Sequence, residues 1–341
     1  MPSPNTYLYS TLFFLAFQGG FWVVFLGNNL YIRNMKKILL AISGGVDSMC
    51  LFELFKHQPG VIVAHFDHGM RPSAKKDQEF VREQAQRAGL EFVTETASLG
   101  PEASEAAARE ARYAFLKKVA SERDATIYTA HHGDDLIETI MINLLRGTGW
   151  RGLVPFSDEE IKRPFLETDL LPAEAKELLS PEAGKLLPSE DQPVWKQDVW
   201  RMASVQQVVF CEDPTNHEAD YFRNRIRQAL ADQNSEAKVA NFKHELYQKY
   251  LEQRKLKMEL SKITKHFQTS NGFYRKEIFT SLDSVVAMEL LRLICEERNL
   301  RLTRPQLAEF LQALHKYAPG KKFNLPGDVL VTIQKNYFLL P

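Results

Sequence analysis

The residues with the most chemistry in this chain lie in four short runs. "SGGVDS" (43–48) follows an apolar run and precedes a helix-like pattern. Its two glycines let backbone N–H groups turn inward, and the following helix offers its unpaired first amides, so the run can cradle an anion. Ser43 and Ser48 can donate to phosphate oxygens around Gly44, Gly45 and Val46. Asp47 would repel a phosphate unless Mg²⁺ lay between them. The GxxxxGK[ST] pattern of kinases and GTPases is absent. The plain alternative is a strand–helix turn capped by Asp47 or Ser48; six such residues together at the end of a first strand favour the phosphate cradle.

"HHGDD" (131–135) offers two imidazoles and two carboxylates. Asp134 or Asp135 can cap a helix, and the group can bind metal ions as in a phosphoesterase. A two-metal hydrolase would not need a phosphate cradle, so we read His131, His132 and one of the two aspartates as lining a pocket. A carboxylate there can hold a cation or take a proton from an amine. "AAREARY" sets Arg109 and Arg112 on one helical face, and "DYFRNRIR" does the same for Arg223 and Arg227, with Asn224 beside them. The latter group suits RNA phosphates or a triphosphate, on a helix whose Phe222 and Ile226 turn inward.

Strands and helices must position these runs. From Lys36 onward, continuous apolar strands ("KILLAI", "GVIVAHF", "LEFVTET", "ATIYTA") alternate with helical stretches at 47–57, 74–89, 104–121 and 134–145. That rhythm predicts an α/β fold, a parallel twisted sheet with helices on both faces. Ligands of such sheets bind beyond the carboxyl ends of the strands. There lie "SGGVDS", "HHGDD" and, after the second strand, "FDHGMR" with Asp67, His68 and Arg71. Residues 167–191 break the rhythm with three prolines and a net charge of −5, and read as a solvated insertion. Residues 238–265 read as one long basic helix of net charge +5, and the tail from 281 as helices followed by a hairpin. The expected organisation is a leader (1–34), a catalytic domain (35–232), a linking helix (233–270) and a smaller C-terminal α+β domain (271–341).

Length and composition suit a globular protein of about two domains. Formal net charge is zero, so a polyanionic partner must meet a local patch. Cys50, Cys211 and Cys295 are far apart, odd in number and form no CxxC, which points to a reducing compartment without disulfides. The uncharged stretch at 7–32 is long enough for a membrane span of ~20 residues. It lacks the basic start of a secretory signal. As a span it would make membrane contact and hold the remainder on the cytoplasmic side of the inner membrane through Arg33, Lys36 and Lys37. Met35, directly before the first strand, favours a misassigned start and a cytoplasmic protein.

"SGGVDS" resembles the pyrophosphate loop of the N-type ATP pyrophosphatases, which share an adenine-nucleotide α-hydrolase-like fold. Further blocks resemble tRNA(Ile)-lysidine synthetases: "VAHFDHGMRPSAKKDQEFV" (63–81), "SEAAAREARYAFL" (104–116), "TAHHGDDLIETIMINLLRGTGWRGL" (129–153), "IKRPFL" (161–166), "EDPTNHEADYFRNRIR" (212–227) and "APGKKFNLPGDVLV" (318–331). The resemblance implies ATP and Mg²⁺ as cofactors, and L-lysine and a tRNA(Ile) with CAU anticodon as partners. No protein partner is evident. It implies an ATP site at Ser43–Ser48, with Asp47 holding the metal. Asp47, Arg112, His132, Asp134 and Asp135 would be catalytic. Asp67, His68, Arg71, Arg109, His131, Glu138, Arg146, Arg223, Asn224 and Arg227 would contact substrate or tRNA, helped by the C-terminal domain. Two features depart from the family: Leu136 replaces the usual glutamine, and the 167–191 segment is longer than the norm. No block corresponds to the third domain of some members. The alternatives are another tRNA-modifying enzyme of the superfamily, such as a tRNA thiolase, or a membrane-tethered nucleotide-binding module.

Overall fold

A computed structural model of the chain describes residues 13–14, 21–26, 29–34, 36–69, 74–97, 105–156, 158, 160–173, 192–211, 221–230, 236–298 and 300–341. It divides into two compact units, Met1–Tyr247 and Gln248–Pro341. Strands β1 (Phe13–Phe14), β2 (Phe21–Leu26) and β3 (Asn29–Asn34) form a small antiparallel sheet. Over these residues the chain does not form the helix that the alternative reading of 7–32 as a membrane span would use. Phe21 to Leu26 pair with Asn34 to Asn29, so the backbone groups that a helix would satisfy internally are bonded between strands. Among the described residues no helix is long and apolar enough to cross a membrane.

The larger unit is built on β4 (Lys37–Ala41), α1 (Val46–Phe55), β5 (Val61–Asp67), α2 (Ala74–Arg87), β6 (Glu91–Thr96), α3 (Glu105–Arg123), β7 (Ala125–Tyr128), α4 (Gly133–Leu145) and β8 (Ile161–Lys162). The strands form one five-stranded sheet in the order β6-β5-β4-β7-β8, and every pair in it is parallel. Alternation along the strands sends side chains to two cores. Leu40 and Val63 join one with Met49 and Phe52 of α1, whereas Leu39, Ile62 and Ile127 join the other with Phe115 and Val119 of α3. Helices therefore cover both faces, as the continuous apolar strands predict.

The chain runs outward from β4 to β5 and β6, then returns to add β7 and β8 on the other side. The direction of winding reverses between β4 and β7, and a crevice opens at the carboxyl ends of such a strand pair. Residues 43–48 leave β4 there, and residues 131–135 leave β7 there.

After β8 come α5 (Lys196–Val205), α6 (Tyr221–Leu230) and the long α7 (Glu236–His266). Residues 174–191 of the acidic insertion and 212–220 of the "EDPTN" block lie outside the described residues. The boundary between the units falls within α7. The smaller unit sets α8 (Lys276–Ser281), α9 (Ser284–Glu296) and α10 (Arg304–Lys316) on an antiparallel sheet. Its strands are β9 (Tyr274–Arg275), β10 (Lys322–Leu325), β11 (Val329–Ile333) and β12 (Tyr337–Leu339), in the order β10-β11-β12-β9. The rings of Phe279 and Phe310 meet that of Phe338 edge-on at 5.4 and 5.6 Å, and all three side chains are buried.

Candidate active site

The 43–48 turn is held from both sides. Gly44 takes a φ of +99°, which side-chain-bearing residues rarely adopt. Its carbonyl accepts the Cys211 N–H at 2.9 Å. The Ser43 and Gly44 N–H groups both point at Ser48 Oγ, each at 3.2 Å, and that hydroxyl donates to the Gly45 carbonyl at 2.9 Å. Two successive amides thus converge on one oxygen, which is how a backbone nest holds an anion. Helix α1 begins at Val46, so its first-turn amides lack partners within the helix. Ser43 is exposed, whereas Ser48 is buried and engaged inside the turn.

The Asp47 carboxylate meets a residue that no motif marks. Lys196 Nζ lies 2.6 and 2.8 Å from its two carboxylate oxygens. Lys196 opens α5, and the chain just before it docks on the start of α4. The Gly133 N–H donates to Val194 O at 2.9 Å, and the Lys196 N–H donates to Asp134 Oδ2 at 2.8 Å. The Trp195 ring covers Gly133 so closely that a Cβ there would stand 2.5 Å from it. The glycine of "HHGDD" is thus explained by this contact.

The two aspartates divide the work that the sequence left undivided. His132 caps α4, and Asp135 closes the capping box: Asp135 Oδ2 accepts the His132 N–H at 3.1 Å, and His132 Nδ1 accepts the Asp135 N–H. This assigns the ring proton to Nε2, which faces Asp47 Oδ1 at 3.7 Å and Asp135 Oδ2 at 3.5 Å. Asp134 instead receives the Lys243 ammonium of α7 at 2.7 Å. Burial pushes the Asp134 carboxyl up, but the bonds from Lys243 and the Lys196 N–H outweigh it and hold the group below its usual value of 3.8. One turn along α4, buried Glu138 accepts from Arg227 Nε at 2.7 Å. Leu136 is fully buried with Ile137 and Ile140, so hydrocarbon packing stands where the family usually has a glutamine.

His131 belongs to a cationic neighbourhood. Its Nδ1 bonds Thr129 Oγ1 at 2.8 Å, and its ring lies 5.0 Å from that of Phe156. The buried Arg163 guanidinium sits over the other ring at 4.7 Å and donates to Ile161 O. Arg109 and Arg112 both lie over Tyr113, at 5.0 and 5.3 Å. Burial, then the fields of Arg163, Arg112, Arg109 and His132, hold the His131 imidazolium well below the usual 6.5. The adjacent histidines therefore join an acidic side (Asp47, Asp134, Asp135, Glu138) to a basic side (Arg109, Arg112, Arg163).

Other expected residues lie around this centre. Asp67 is buried at the end of β5, where its Oδ1 accepts the Gly69 N–H at 2.8 Å; the His68 ring meets Phe66 at 5.0 Å. Arg146 is exposed at the C-terminus of α4, about 18 Å along the helix axis from Asp134 at about 1.5 Å per residue. The structure does not bring it to the cluster. Arg71 and the side chains of Arg223 and Asn224 lie outside the described residues. Sequence reasoning passed over Lys196, Lys243, Trp195 and Arg163. Lys243 is one of eight Lys/Arg along the 238–265 helix, and Arg163 lies within "IKRPFL", with no local feature that sets either apart. Lys196 and Trp195 follow the insertion with no local pattern to mark them.

Among the described residues no three His, Cys, Asp or Glu side chains are arranged to hold a metal by themselves. Mg²⁺ in nucleotide sites is held by one or two carboxylates together with phosphate oxygens. Asp47, beside the turn and already bound to a cation, fits that role.

A family model described as a PP-loop domain matches residues 24–178. The tRNA(Ile)-lysidine synthase of Nostoc sp. is 31% identical over 337 residues, covering 89% of this chain and 91% of that protein. The chain belongs to the tRNA(Ile)-lysidine synthase family. A lysidine synthase from Streptococcus gordonii is 32% identical over 308 residues. That match covers 84% of this chain and 62% of the relative, so the chain spans less than two thirds of that lysidine synthase. Among solved structures, a U34-tRNA thiolase from Methanococcus maripaludis with a 4Fe-4S cluster is similar over 65% of this chain and 74% of its own. At 16% identity and a TM-score of 0.48 that likeness carries no argument.

Proposed function

We propose that the chain joins L-lysine to C2 of the wobble cytidine in a tRNA(Ile) with a CAU anticodon, consuming ATP and releasing AMP and pyrophosphate. The observation that carries this reading is the meeting of a phosphate-type turn with a carboxylate–imidazole cluster at one sheet crevice, in a chain of this family. An amine-accepting group beside an ATP-binding group is what such a ligation requires.

In the first step the cytidine O2 attacks the α-phosphate, forming a C2–O–P linkage and expelling pyrophosphate. The amides of 43–48 and the first turn of α1 hold the phosphates. Asp47 would hold Mg²⁺, which when present offsets charge on the leaving pyrophosphate. Arg112 and Arg109 contact the base being adenylated or its phosphate. In the second step the lysine ε-amine attacks C2, and AMP leaves with the former O2. The amine arrives as an ammonium and must lose its proton. Asp134, Asp135 and Glu138 attract the cation and a carboxylate of this group takes the proton, while His132 holds Asp135 in place through the capping box. Activating the oxygen first divides one difficult substitution into two easier ones.

The tRNA is gripped by the smaller unit and α7. Residues 248–341 carry sixteen Lys/Arg against nine Asp/Glu, net +7 in a chain of net zero. The anticodon base must be unstacked, which a loop allows at modest cost. We assign the chain to the cytoplasm, where its substrates are. The thiolase alternative loses support because burial pushes the Cys50, Cys211 and Cys295 thiols up, to about 12, 11 and 12. Those thiols are poor nucleophiles at neutral pH.

Purified protein incubated with ATP, Mg²⁺, L-lysine and the CAU-anticodon tRNA should yield a wobble nucleoside heavier by the lysine adduct in mass spectrometry. An unmodified cytidine in the presence of folded protein and intact tRNA would refute the reading.

A further inference from the structure

The Asp47 carboxylate is already occupied. Lys196 Nζ contacts both of its oxygens, at 2.6 and 2.8 Å, and these are the atoms through which Asp47 would hold a metal ion. The backbone of Lys196 is anchored independently, its N–H on Asp134 Oδ2 and its neighbour Trp195 packed on Gly133. About a third of each partner is exposed (35% for Lys196, 33% for Asp47), so the four-carbon side chain can swing while its root stays fixed. The ammonium also lies 5.6 Å from the centre of the Trp200 ring, a second weak attraction on the same helix.

A divalent ion and an ammonium cannot share those two oxygens without strong repulsion, because like charges a few ångströms apart in a partly buried site are poorly screened. When the metal takes Asp47, the ammonium must find another anion within reach of its stem. Residues 43–48 adjoin Asp47, and the negative charge delivered there is the phosphate chain. We propose that Lys196 is a two-position residue of the reaction: it holds Asp47 before nucleotide arrives, then yields that carboxylate to Mg²⁺ and binds a triphosphate oxygen. The proposal rests on the reading of residues 43–48 as the ATP loop and adds a phosphate-binding residue to it.

Its two halves predict opposite changes in one variant. In the full chain, Lys196→Met should bind Mn²⁺ about fivefold more tightly without nucleotide, measured by electron paramagnetic resonance, because no ammonium competes. The same variant should bind α,β-methylene-ATP about tenfold more weakly at saturating Mg²⁺, measured calorimetrically. Lys196→Arg, which keeps a cation on the stem, should restore most of the analogue affinity. A role confined to folding would weaken both ligands together. Unchanged or weaker Mn²⁺ binding by Lys196→Met, or unchanged analogue binding, overturns the proposal.

If circular dichroism shows that Lys196→Met does not fold, the wild-type chain supplies the test. Reductive methylation of Lys196, read by peptide mass spectrometry, should rise with Mg²⁺ alone and fall when the analogue is added. No change, or the reverse order, overturns it equally. None of these measurements uses tRNA or lysine. A chain that passes them yet makes no lysidine loses the proposed function and keeps this residue assignment, and the converse is distinguishable in the same way.

Discussion

At the scale of residues, the site is a set of carboxylates each already assigned a partner. Asp47→Ala removes the carboxylate nearest the phosphate turn. Pyrophosphate release from ATP should fall by at least about 10²-fold while circular dichroism stays native, since Lys196 can still reach water. Gly133→Ala would place a Cβ 2.5 Å from the Trp195 ring. We expect a loss of about 1–3 kcal/mol in urea denaturation, as for other overpacked sites. Two imidazoles, His65 buried and His131 half-buried, add a pH dependence. His65, bonded through Nδ1 to the Ile42 carbonyl, and His131 are both held below their usual value, chiefly by burial. A depressed histidine pKa means the unfolded chain takes up the proton first, so this stability is full above about 6.5 and declines as pH falls below it. The urea midpoint should therefore be lower at pH 5 than at pH 7, and His65→Gln or His131→Gln should each narrow that difference.

At the scale of elements, the interesting joint is where α4, α5 and α7 meet through Asp134. Lys243→Met would strip the ammonium from a carboxylate whose side chain is 18% exposed. The expected cost is about 2 kcal/mol, less than the 3–5 of a fully buried pair because water still reaches the site. The acid limb of the stability curve should also move to higher pH. Asp134 stabilises the fold above its unfolded pKa and loses that contribution as pH falls through its lowered native value, and without Lys243 that value rises. This joint also shows where the sequence stopped being readable. The strands and helices of the parallel sheet were legible because apolar runs and 3.6-residue patterns are local. So were "SGGVDS" and "HHGDD", whose neighbours along the chain supply much of their geometry. Lys196 and Lys243 were not, because their partners lie 149 and 109 residues away and nothing near them carries a pattern. Nor could the sequence choose between Asp134 and Asp135. That choice depends on which of them reaches back to the His132 amide, a matter of backbone direction at the first turn of α4.

At the scale of the whole molecule, neutrality is a sum of opposites. The +7 of residues 248–341 leaves −7 for the remainder of the chain. If the basic unit grips tRNA phosphates, affinity should be steeply salt-dependent. Raising NaCl from 50 to 200 mM should weaken binding at least about tenfold in filter-binding or fluorescence assays. A flat response would mean that the basic unit contacts few phosphates. The acidic insertion has a different consequence. The Val194 N–H donates to the Phe165 carbonyl at 2.7 Å, so one backbone hydrogen bond joins the chain before this segment to the chain after it. Closing a loop costs little more as the loop lengthens. That bond separates the number of residues between Phe165 and Val194 from the placing of Trp195 and Lys196. A reporter domain spliced in between residues 174 and 191, or new chain ends opened there by circular permutation, should therefore leave the lysine that meets Asp47 in place.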